Sequence, residues 1–140
     1  MNRLVGLLAC AAALSAAPAQ AQSCTVSADP VLFDPYDSLS PLPANGAGAV
    51  ELQCDAPADV TVELYRPSPG PRAMSNGVNV LEYELFRDPA RTSVWGDGGA
   101  APGVSASGTA IDLPVYGRIP ARQNVPAGVY SDVVTILISF

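Results

Sequence analysis

Short strand-like runs, the clearest with apolar and polar positions alternating at a period of two, make up this chain, and no apolar pattern of helical period lasts beyond a turn or two. Clusters of Pro, Gly, Asn and Asp interrupt the alternation, as they do between β-strands. The first strand-like run spans Ser23 to Asp34 and is broken at Pro30. A loop, PLPANGAG, follows it. Two further runs are Ala49 to Cys54 and Val60 to Tyr65, the second closed by the rigid RPSPGPR loop. In the fourth run, Val80 to Phe86, Leu81, Tyr83 and Leu85 fall on one face and Glu82 and Glu84 on the other. After the Gly-rich WGDGGAAPG loop comes Ala110 to Ile119. Its Pro114 predicts an edge or a bulge, because proline has no amide hydrogen to give to a ladder. The last run, YSDVVTILISF, puts Val134, Ile136, Ile138 and Phe140 on one face and Val133, Thr135, Leu137 and Ser139 on the other.

About six strands at this spacing predict an all-β domain. An immunoglobulin-like sandwich uses about seven, so the expected fold is an incomplete immunoglobulin-like sandwich lacking its final strand, with the missing strand falling after Phe140. That leaves the most apolar run with an uncovered edge, an aggregation hazard unless something pairs with it. Burying Val134, Ile136, Ile138 and Phe140 would contribute roughly 1.5–3 kcal/mol each. The opposite face is not polar enough to settle which side is covered, and a core on both faces is the alternative.

The N-terminal residues have the three parts of a secretory signal. Arg3 is the positive end, Leu4 to Ala17 the apolar run and Ala19-Gln20-Ala21 the small-residue cleavage site. The apolar run is too short to span a membrane as a helix. The expected organisation is therefore a cleaved signal over residues 1–21 and one domain over residues 22–140. Leu7 to Cys10 resembles a lipoprotein cleavage site, but the apolar run continues past Cys10. Cys10 leaves with the signal, and the two remaining cysteines of an exported chain, Cys24 and Cys54, read as one disulfide. Two unpaired buried thiols are the alternative. Localisation follows: export through the inner membrane, then periplasm and cell surface.

Charge and composition exclude several functions. The chain has 13 carboxylates against 7 basic residues, all of them arginine, so no basic patch exists to meet nucleic acid or an anionic membrane. Without lysine, Lys–Asn isopeptide crosslinks and sortase-type attachment are excluded. Without histidine, neither a Ser–His–Asp nor a Cys–His site can be built. Zinc would need the thiolates already committed to the disulfide. WGDGG lacks the Lys-Ser/Thr and helix of a phosphate loop. Glu82 and Glu84 imitate a glycosidase carboxylate pair but read better as a solvated strand face. The GDG around Asp97 reads as a turn before it reads as a calcium site. Trp95 reads as a packing anchor before it reads as a sugar platform. The expectation is a non-enzyme with no cofactor and no metal.

Several motifs, in order and spacing, carry a family resemblance. They are Cys24; FDPYD (Phe33, Tyr36); Cys54 at a strand end; RAM at Arg72 to Met74; LEYELFRDPARTSVWGDG (Tyr83, Trp95, Gly96); VYGRI (Tyr116, Gly117); and PAGVYSDVVTILISF (Gly128, Tyr130, Asp132). Over nearly all of residues 22–140 the chain resembles the spore coat protein U family, which includes pilins of archaic chaperone–usher pili. The resemblance implies a sandwich with an apolar groove beside the last strand, at Val134, Ile136, Ile138 and Phe140. A periplasmic chaperone fills it first, and a neighbouring subunit's N-terminal extension replaces it at an outer-membrane usher. Polymerising members carry an apolar donor segment before the first cysteine; here only Gln22 and Ser23 stand between Ala21 and Cys24. The expectation is a terminal, tip or minor subunit that accepts a strand and donates none. The alternative is a free-standing secreted coat, adhesion or biofilm domain whose groove is closed by its own N-terminus or by dimerisation.

Overall fold

Two long strands organise the molecule: β2 (Ala44–Leu64) and β5 (Val104–Ile119) run antiparallel along almost their whole length. The computed structural model describes residues 21–140; the signal peptide expected over residues 1–21, and Cys10 with it, lie outside the described residues but for Ala21. The other strands are β1 (Cys24–Phe33), β3 (Arg72–Asn76), β4 (Asn79–Phe86) and β6 (Ile136–Ser139). The sheet order is β1-β2-β5-β4-β3, with β6 pairing β2 off that path. Among the described residues no helix is long and apolar enough to cross a membrane.

A bulge in β2 turns this one sheet into two layers. Cys54 to Pro57 stand opposite the single residue Thr109, since Gln53 pairs Ala110 and Ala58 pairs Gly108. Extra residues on one strand bend it and increase its twist. On the other strand the bend is matched by Gly108, at φ 139°, a conformation that side-chain-bearing residues rarely adopt. The halves of β2 on either side of the bulge bury alternate residues into one core: Val50 and Leu52 before it, Val60, Val62 and Leu64 after it. From the other strands and their connecting loop come Met74, Leu81, Tyr83, Leu85, Ile111, Val115, Ile119 and Trp95. Trp95 is 1% exposed, and its indole N–H donates to the Val62 carbonyl at 2.9 Å.

The PLPANGAG stretch expected as a loop is half strand, because Ala44 to Gly48 belong to β2. Glycine there serves close packing: a Cβ on Gly46 would stand 2.6 Å from the Leu32 carbonyl oxygen, and one on Gly48 2.6 Å from that of Asp29. β1 therefore approaches closely, with its register shifting between Asp29 and Leu32 around Pro30. Cys24 stands opposite Cys54 on β2, and the two are disulfide-bonded. Pro114 pairs Ala49 on one side, while β4 reaches β5 only at Tyr116 to Arg118; proline thus occupies a stretch whose second side has no strand partner among the described residues.

Candidate functional site

β6 has one ladder partner among the described residues. It pairs β2 from Thr61↔Ser139 to Leu64↔Ile136, and the Tyr65 amide donates to the Thr135 carbonyl at 2.9 Å just beyond. In an antiparallel ladder alternate residues turn their N–H and C=O to the same neighbour. Thr135, Leu137 and Ser139 therefore face β2, and Val134, Ile136 and Ile138 present their backbone groups on the open side. Upstream, Ser131 exchanges both backbone hydrogen bonds with Ser75 of β3. The segment from Asp132 onward thus has a bare edge.

Beside that edge lies a groove of about 740 Å³. One wall is the end of β1 and the residues after it, from Ala28 to Tyr36; the other runs from Gly128 to Val134 and includes Ile136. The floor is core side chains: Val50, Leu64, Met74, Leu81, Leu85, Val115 and Ile119. This opening lies where one more strand would close the sandwich between β1 and β6.

Of the four expected groove residues, Val134 and Ile136 line it. Ile138 packs half-buried against the core farther along. Phe140 does not line the groove: it is 72% exposed, beside a shallow depression formed with Asp59 to Thr61 and Ser105 to Ser107. The ladder ends at Ser139, so nothing holds Phe140 over Val60, where alternation would put it. Val133, on the other face by alternation, is 92% exposed and still borders the opening.

The motif residues divide into two sets. Around the groove, Phe33 meets Tyr83 edge-on at 5.9 Å, and Gly117 leaves room for its ring, since a Cβ there would lie 2.6 Å from it. The Tyr83 hydroxyl donates to Asp132 Oδ2 at 2.6 Å. Its pKa is pushed up, first by burial and then by that bond to a carboxylate. Tyr36 donates to the Pro120 carbonyl and accepts from the Gln123 amide, tying the chain after β1 to the chain after β5. Tyr130 donates to the Pro126 carbonyl at 2.7 Å, and a Cβ on Gly128 would collide with the Asn76 side chain. Away from the groove, Gly96 runs so close to the Ala101 carbonyl that a Cβ has no room, and Tyr116 lies under the Arg91 guanidinium at 5.6 Å.

Three arginines have roles that the sequence motifs did not disclose. Arg72, buried, donates to the Leu64 and Tyr65 carbonyls and stands 3.4 Å from Glu84. Arg66 donates to both oxygens of Glu84. Glu84 is therefore not on a solvated face as expected: it is half-buried between two guanidiniums, and only Glu82 is exposed. Arg91, at φ 58°, reaches the Gly117 and Gly46 carbonyls and clamps its loop onto β5 and β2. Alternation on β4 gave the face of Glu84 correctly but could not show that the Arg66 to Arg72 loop folds over it. Among the described residues no group of His, Cys, Asp and Glu is placed to hold a metal ion.

Fold and groove together define an immunoglobulin-like sandwich one strand short of closure. The model of the spore coat protein U domain matches residues 10–137, and the chain belongs to that family. It is 32% identical over 108 residues to Protein U of Myxococcus xanthus, an alignment that covers 68% of this chain and 60% of that protein. The chain thus spans about 60% of the length of that relative. Among solved structures, it resembles a chain of the CsuC–CsuE chaperone–tip adhesion subunit pre-assembly complex from the archaic chaperone–usher Csu pili of Acinetobacter baumannii. The TM-score is 0.54 at 22% identity, covering 85% of this chain and 40% of that chain. At that identity the likeness is one of fold.

Proposed function

We propose that this protein is a non-enzymatic, pilin-like structural subunit of a chaperone–usher fibre, and that it works by accepting a β-strand from another polypeptide. The observation that carries the reading is the bare edge of Val134, Ile136 and Ile138 beside an apolar groove. Such an edge is sticky until paired, and strand addition satisfies its backbone groups while covering the floor. Membership of the family and the fold likeness to a pilus-complex chain support the reading. In it, a periplasmic chaperone occupies the groove first, and a neighbouring subunit replaces it at an outer-membrane usher on the way to the surface.

The reading extends to a terminal or minor position in the fibre. Gln22 and Ser23 do not extend outward; they bond back to Ala56, Pro57 and Asp55 beside the bulge. The test is to produce residues 22–140 in the periplasm with and without an archaic-type chaperone. The expected outcome is heavy loss to aggregation and proteolysis without the chaperone, with folded monomer recoverable only at low concentration, and a stable one-to-one complex with it. A soluble, protease-resistant lone chain that takes up neither chaperone nor strand peptide contradicts strand acceptance. Homopolymers of the purified chain contradict the terminal position alone. The family's spore coat description favours a second reading, a free-standing coat domain, and that resistant lone chain is the result it predicts.

A further inference from the structure

The groove is apolar on its floor and one-signed at its rim. Among the described residues, its charged lining is Asp29 and Asp34 on the β1 wall and Asp132 on the opposite wall, and no arginine lines it. All three are exposed, so their field acts on whatever lies along the opening. Asp132 is held in place, accepting from the Tyr83 hydroxyl at 2.6 Å and from the Val133 amide at 2.8 Å. The carboxylates of Asp29 and Asp34 make no hydrogen bond or ion pair among the described residues. Among the described arginines, Arg66 and Arg72 engage Glu84 and Arg91 engages backbone carbonyls, and Arg87, Arg118 and Arg122 lie outside the groove lining.

We propose that the strand this groove accepts is an alternating apolar segment of another polypeptide carrying Lys or Arg where it passes Asp132 and the Asp29–Asp34 wall. The inference rests on the strand-accepting reading and adds the chemistry of the strand. Edge hydrogen bonds are the same for any sequence, and an apolar floor accepts any apolar residue of suitable size. Charges at the rim therefore discriminate among strands, and one fixed at Asp132 disfavours a register that brings an acidic residue there. An acidic strand meets three carboxylates with no cation among the lining residues to offset them.

The test uses residues 22–140 and three synthetic nine-residue peptides with one alternating Val/Ile core and flanks of Lys, Gln or Glu, followed by fluorescence anisotropy. For rim charges open to solvent, the expected preference is about three- to fivefold for Lys over Gln and a similar factor for Gln over Glu at low salt. It should shrink towards unity at about 1 M salt, where screening acts over roughly 3 Å. Asp132→Asn keeps an acceptor for Tyr83 and should remove part of the Lys preference; the Asp29→Asn, Asp34→Asn pair should remove the rest. Equal affinity for the three peptides, or a preference that survives both sets of substitutions, overturns the inference and leaves the strand-accepting reading standing. Failure of every peptide to bind overturns both.

Discussion

Tyr83 links the core to the groove's acidic rim. Its ring lies in the core against Phe33, and its hydroxyl holds Asp132. Its raised pKa means that the fold holds the neutral form. The stability this contributes is complete below the ordinary tyrosine value of 10.0 and is lost as pH climbs from there towards the raised folded value. Tyr83→Phe should cost about 1.5–3 kcal/mol at neutral pH, for a lost hydrogen bond to a carboxylate. Above about pH 10 it should remove part of the alkaline decline that the parent chain shows. Denaturant unfolding at neutral and alkaline pH measures both; parallel alkaline slopes in parent and variant would contradict this role. Gly96 permits a second prediction at this scale. Gly96→Ala should destabilise by about 1–3 kcal/mol by driving the backbone off Ala101 and disturbing the Trp95 loop, as a lowered denaturation midpoint would register.

Among the elements, the disulfide ties the start of β1 to β2 at the bulge, so it secures the wall of the groove as well as the chain. Replacing both cysteines with serine should cost about 3–4 kcal/mol, for a closed loop at a sequence separation of 30. Unfolding with and without reductant checks this: the parent should lose that stability on reduction and the variant should be indifferent. The sequence showed the architecture class through its period of two but miscounted the elements in compensating ways. Two expected strands are one, because the bulge from Cys54 to Pro57 reads as a turn when β5 is out of view. β3 starts at the end of the RPSPGPR loop and carries little apolar alternation of its own, although Asn76-Gly77 marks the tight turn that pairs it with β4. The start of β5 is built of Ser, Ala and Gly, whose alternation carries little hydropathy contrast. The last apolar run extends from Tyr130 to Phe140, yet its ladder covers only Ile136–Ser139. Alternation in the last run puts Val134 and Ile136 of the groove wall on one face, but it puts Ile138 and Phe140 there too, and neither lines the groove. The groove's acidic rim was not legible, because Asp29 and Asp34 come to face Asp132 only when β1 and the β6 segment form opposite walls.

At the scale of the whole molecule, one core is shared by two layers, and the layers gape along one seam between β1 and β6. Burial of the floor and pairing of the edge belong to the same event, because one strand laid along the opening does both. The most direct measurement is amide hydrogen exchange of residues 22–140, resolved by residue, before and after adding an alternating apolar peptide. The lone chain should exchange slowly at Leu137 and Ser139, which face β2, and quickly at Val134, Ile136 and Ile138, which face the opening. Peptide should slow the second group and leave the first nearly unchanged. Protection of Val134, Ile136 and Ile138 in the lone monomer, or indifference of those three amides to every bound peptide, would contradict the account.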